Sequence, residues 1–131
     1  MSPANDWIDR VPSLDNGQLF WAAYSVLYRI KTNYTNAPFN LTSRIQTMID
    51  GMIKYAPKIF YEGKGKVRAV THMNDMTKPP EQNYYFHEDC KPYCYLDDPY
   101  EGELFAHILY LFCDLPLDDQ NMIWQVKRKL L

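Results

Sequence analysis

Gln18-Leu19-Phe20-Trp21-Ala22-Ala23-Tyr24-Ser25-Val26-Leu27-Tyr28 is apolar almost all the way round a helix. A helix without a polar face must be buried on nearly every side. Leu104-Phe105-Ala106-His107-Ile108-Leu109-Tyr110-Leu111-Phe112-Cys113 repeats the pattern. The first stretch predicts a helix over 16–30, with Ser13 or Asp15 as its N-cap after Pro12, and the second a helix over 101–114.

Each buried helix is followed by one of a different kind. Over 41–55, Ile45, Met48, Ile49, Met52 and Ile53 form one stripe at helical spacing, with Arg44, Gln46, Asp50 and Lys54 elsewhere. Pro57 is expected to bend or end that helix. Over 118–129, Met122, Ile123 and Val126 oppose Asp119, Gln120 and Lys127. Between the pairs, Lys58-Ile59-Phe60-Tyr61 and Lys66-Val67-Arg68-Ala69-Val70 flank Glu62-Gly63-Lys64-Gly65 as a short β-hairpin. A long irregular stretch runs from His72 to Tyr100, and loops of that length inside compact domains are usually functional or mobile.

The order buried, amphipathic, hairpin, buried, amphipathic gives an all-α fold class and suits two concentric layers, the α/α toroid. A simple four-helix bundle would make all four helices amphipathic. Four helices do not close a toroid, so residues 1–131 are expected to form a single partial domain.

Composition narrows the function. Net charge is −2 and the basic residues are scattered, so there is no footprint for nucleic acid or anionic lipid. Every apolar run breaks before the roughly 18 residues a membrane span requires. The start, Met1-Ser2-Pro3-Ala4-Asn5-Asp6-Trp7, lacks the basic and apolar regions of a signal peptide. Two glycosylation sequons, Asn33-Tyr34-Thr35 and Asn40-Leu41-Thr42, favour a secreted parent protein. Aromatic residues reach 15%, a composition that suits stacking on sugar rings and suits a large core equally well.

Polar clusters open both buried helices: Ser13-Leu14-Asp15-Asn16-Gly17-Gln18, and Leu96-Asp97-Asp98-Pro99-Tyr100-Glu101-Gly102-Glu103. If the helices are parallel inner staves, their N-terminal ends open at one rim. Asp15, Asn16 and Gln18 then face the same cavity as Asp97, Asp98, Glu101 and Glu103. Glycoside hydrolysis needs two carboxyl groups, one to protonate the leaving oxygen and one to activate water or attack carbon. Acids at a helix start also complement its dipole. Four in seven residues exceed what capping requires, and Gly102 offers a place where a ligand could approach the backbone.

Val11-Pro12-Ser13-Leu14-Asp15-Asn16-Gly17-Gln18-Leu19, Ile59-Phe60-Tyr61, Gly65-Lys66-Val67-Arg68-Ala69-Val70-Thr71, Cys94 to Leu104 and Trp124-Gln125-Val126-Lys127-Arg128 resemble the fungal endo-β-1,2-glucanases of glycoside hydrolase family 162. The resemblance implies an (α/α)6 toroid and an inverting hydrolase of linear β-1,2-glucan that needs no cofactor. It implies a glutamate acid, placed here at Glu103 first and Glu101 second, and an aspartate base far along the chain. Substrate contacts are expected from Asp15, Asn16, Gln18, Asp97, Asp98 and Tyr100. The chain is then expected to be a fragment, inactive alone.

Rival readings are a zinc-like set of His72, His87, Cys90 and Cys94, or instead a Cys90–Cys94 disulfide or two idle thiols. Others are a non-catalytic sugar-binding remnant using Tyr84, Tyr85, Tyr95 and Tyr100, and a helical interaction module. Trp21, Tyr24 and His107, each inside an apolar helix, are expected to be core residues.

Overall fold

A computed structural model describes residues 8–34, 39–86, 95–96 and 102–129. Four helices dominate: α1 (Ser13–Asn33), α2 (Phe39–Phe60), α3 (Glu103–Leu111) and α4 (Leu117–Arg128). Five short strands accompany them: β1 (Arg10–Pro12), β2 (Tyr61–Gly63), β3 (Lys66–Val67), β4 (Val70–Met73) and β5 (Tyr85–Phe86). All four expected helices and the hairpin are present, with shifted ends.

Side-chain pairs fix the helix directions. Gly17 abuts Phe105 at the start of α1 and α3, and Tyr24 stacks edge-on with Phe112 further along both, at 5.2 Å. The two apolar helices therefore run parallel. Phe60 meets Phe105 at 4.7 Å, while Ile53 meets Cys113 at the other end, so α2 runs antiparallel to α3. Phe20, Leu27, Ile49, Phe105, Ile108, Leu109 and Ile123 are buried in the core these helices share.

Several expectations need correction. Ser13 does not cap α1: its N–H and its hydroxyl both donate to the Ala69 carbonyl, at 2.9 and 3.0 Å. Asp15 does not cap it either, because Pro12 holds the N-cap position and no side chain closes it. α2 continues through Pro57 to Phe60. The hairpin is consequently shorter than expected, and Gly63, Lys64 and Gly65 turn it with positive φ. The long irregular stretch holds β4, β5 and a 3-10 turn at Pro80–Gln82. β4 lies between β1 and β5, antiparallel to both, pairing Val11 with Thr71 and Met73 with Tyr85. Lys127, expected on the wet side of α4, is buried, because a residue four positions from buried Ile123 shares its face.

The apolar helices are not walled in on every side within this segment. Leu19, Val26 and Tyr28 on α1, and Leu104 and Leu111 on α3, are exposed. No helix is long and apolar enough to cross a membrane among the described residues.

Candidate active site

Parallel α1 and α3 bring their N-terminal ends together, and the contact between them is unusually close. A Cβ on Gly17 would stand 3.1 Å from the backbone nitrogen of Phe105 and 3.2 Å from its Cβ. The Trp21 indole N–H donates to the Leu104 carbonyl at 2.8 Å, reaching back toward the start of α3. Behind this seam Phe20, Trp21, Tyr24 and Phe112 pack as an aromatic cluster. Trp21 is half-buried there, whereas Tyr24 is partly open to solvent. His107 packs instead against Trp124, ring centroids 4.8 Å apart.

Glu103 is the first residue of α3 and is exposed. Asp15 and Gln18, in the first turns of α1, are exposed too. Asn16 is half-buried and donates its amide to the Pro12 carbonyl at 2.6 Å, so that end of its side chain is occupied. Asp15, Asn16, Gln18 and Glu103 all lie within the first two turns of the two helices that meet at Gly17 and Phe105. Glu101, Asp97, Asp98 and Tyr100 lie outside the described residues, as do His87, Cys90 and Cys94.

Gly102 has a different role from the one its sequence position suggested. It precedes α3 in the left-handed conformation, φ 69°, and is buried. A Cβ there would come within 2.4 Å of Leu96 Cδ1. The space beside Gly102 is filled by Leu96, not left open for a ligand.

Sequence reading named Tyr95 only as a candidate for sugar binding and missed the pairings behind that contact. The Leu96 N–H donates to the Val67 carbonyl at 2.8 Å, and Tyr95 bridges antiparallel to Arg68. The Tyr95 hydroxyl donates to Glu62 Oε1 at 3.1 Å, and Arg68 Nε donates to Glu62 Oε2 at 3.4 Å. Burial and then the Glu62 hydrogen bond push the Tyr95 phenol above its ordinary value. Glu62 and Tyr95 stand 33 residues apart, so no local pattern announces the pairing.

His72 Nδ1 lies 3.0 Å from Asp9 Oδ2, and its ring stacks on Phe86. The His72 bond holds the Asp9 carboxyl below its ordinary value. Among the described residues no cluster of His, Cys, Asp and Glu could hold a metal ion. Of the loop tyrosines, Tyr84 is well exposed and Tyr85 is half-buried beside Lys58. A cavity of about 370 Å³ lies between α2, α3 and the start of α1, lined by Val11, Asn16, Met52, Tyr55, Phe105 and Ile108 among others. It is almost wholly apolar, with Asn16 and Tyr55 the polar residues on its lining, and Glu103 does not line it.

Comparison with known proteins places this geometry. The chain superposes on the endo-β-1,2-glucanase from Talaromyces funiculosus in complex with sophorose, with a TM-score of 0.86 and 38% identity. A glutamate-to-glutamine mutant of the Talaromyces funiculosus enzyme in complex with β-1,2-glucan matches with the same TM-score and 37% identity. In both cases 98% of this chain is covered but only 26% of the glucanase. No curated protein matches significantly. The family model for endo-β-1,2-glucanase SGL matches residues 1–131 from end to end, and the chain belongs to that family, glycoside hydrolase family 162.

Proposed function

We propose that this segment carries the general acid of an enzyme that cuts linear β-1,2-glucan with inversion. The observation that supports it most is the parallel run of α1 and α3, whose starts meet at Gly17 and Phe105, close in sequence to Asp15, Asn16, Gln18 and Glu103. Glu103 is the acid, with Glu101 as the alternative; the aspartate base is distant in sequence, and the 131 residues alone are inactive. Asp15, Asn16 and Gln18, together with Asp97, Asp98 and Tyr100, hold sugar hydroxyls.

In the reaction the Glu103 carboxyl gives its proton to the glycosidic oxygen as the bond to the anomeric carbon breaks. The base takes a proton from water, whose oxygen bonds to that carbon from the opposite face. Complexes of the Talaromyces enzyme with sophorose and β-1,2-glucan support this substrate class. Asn33 and Asn40, the two sequon asparagines, are both exposed, which supports a secreted protein.

The test is Glu103→Gln in the protein at its full natural length, assayed on linear β-1,2-glucan. Loss of about a thousandfold in turnover, with an unchanged melting temperature, is expected. Near-normal turnover would sink the assignment of the acid.

A further inference from the structure

We propose that Glu62, Arg68 and Tyr95 are positioning residues for Glu103, acting through the contact of Leu96 with Gly102. This rests on the reading of Glu103 as the general acid. The argument starts from the end of α2, where Arg68 donates its backbone N–H to the Phe60 carbonyl at 2.8 Å and a guanidinium N–H to the Ile59 carbonyl at 3.3 Å. Arg68 is thereby fixed to a buried helix end, and its own side chain is only 14% exposed. Glu62 divides its two carboxylate oxygens between Arg68 Nε and the Tyr95 hydroxyl. Lys66 lies over the Tyr95 ring at 5.1 Å, holding it from the other side.

Tyr95 in turn sets its neighbour. The Leu96 N–H is bonded to Val67, a core residue, and the Leu96 side chain fills the space against which Gly102 is packed. Gly102 then starts α3, its carbonyl accepting the Ala106 N–H at 2.9 Å, and Glu103 is the next residue. The path from Ile59 to Glu103 runs through bonded or touching groups at every step. A proton donor must sit within hydrogen-bond reach of the leaving oxygen, and a displacement of about 1 Å can cost a hundredfold in rate.

The experiment is Tyr95→Phe in the protein at its full natural length, with steady-state kinetics on β-1,2-glucan and thermal melting beside the wild type. The substitution removes one hydroxyl and keeps the ring. The expected result is a fall of about tenfold in kcat with KM within about twofold, because the donor is misplaced while sugar contacts stay. Glu62→Ala should give the same kcat-weighted loss. An active wild type with unchanged kcat in both variants overturns the positioning role alone. So does a loss confined to the amount of folded enzyme, with kcat per folded molecule unchanged. A wild type inert toward β-1,2-glucan overturns the functional reading, and the role of Glu103 with it.

Discussion

The carbonyl oxygen of Ile53 accepts the thiol of Cys113 at 3.4 Å. Pro57, four residues after Ile53, has no N–H to offer that carbonyl, yet α2 continues to Phe60. The thiol stands in for the missing helix bond and ties α2 to the end of α3. Cys113→Ala should therefore leave a buried carbonyl unpaired and destabilise the fold by about 1–3 kcal/mol. In a Pro57→Ala background a backbone N–H is restored, and Cys113→Ala should cost clearly less. Urea unfolding of the four proteins measures the coupling; additive losses would remove the thiol from this role.

The same thiol sets an alkaline limit. Burial pushes Cys113 from 9.0 to about 12, and burial followed by the Asp119 bond pushes Tyr61 from 10.0 to about 12. Both groups prefer to stay neutral in the fold, whereas the unfolded chain ionises earlier. Between these values the unfolded state binds fewer protons, so stability falls as pH rises. The contribution is whole below about pH 9 and shrinks from there to about pH 12. Urea midpoints should drop across that range, and Tyr61→Phe should flatten the part above about pH 10. A midpoint independent of pH there would contradict the assignment.

What the sequence made legible follows from the range of the interactions. Helix existence is a local property: the apolar runs at Leu19 and Leu104 and the stripe through Ile49 declared themselves. The parallel run of α1 and α3 entered the sequence reading only as a condition, and Gly17 on Phe105 meets it. The β-sheet was invisible because its strands are 2–4 residues long and β1 pairs with β4 some 60 positions away, Val11 with Thr71. Pro57 did not end α2, and the donor that serves the carbonyl it leaves, Cys113, lies 60 residues from Ile53. Gly102 was read as an opening because Leu96, which fills it, could not be placed.

Two glycines on neighbouring helices should respond in opposite directions to the same change. Gly51 in α2 has nothing within 4 Å of where a Cβ would stand, so Gly51→Ala should stabilise by about 0.5–1 kcal/mol through helix propensity. Gly17→Ala gains the same propensity but drives a methyl group into the Phe105 backbone at 3.1–3.3 Å, where no flexible side-chain end can yield. Overpacking of this kind costs about 1–3 kcal/mol, so the net effect should be destabilising. Glucan cleavage should fall as well, since α3 carries Glu103 away from α1. Denaturation midpoints that rise for both variants would show that the seam has slack.

The exposed apolar faces predict how the 131 residues behave on their own. Leu19, Val26 and Tyr28 on α1 and Leu104 and Leu111 on α3 meet solvent, and they sit on the stretches 19–28 and 104–113, where polar residues are few. Apolar surface of that kind is covered in stable proteins or drives association. The segment, which spans 26% of the Talaromyces glucanase, should therefore form concentration-dependent aggregates and melt broadly when expressed alone. Replacing Leu19 and Val26 with glutamate should reduce the aggregation without touching Phe20, Ala23 or Leu27, which make the core face of α1. Light scattering across a concentration series reads the first effect and calorimetry the second. A clean monomer with one sharp cooperative transition would mean that the core around Phe20 and Phe105 suffices by itself.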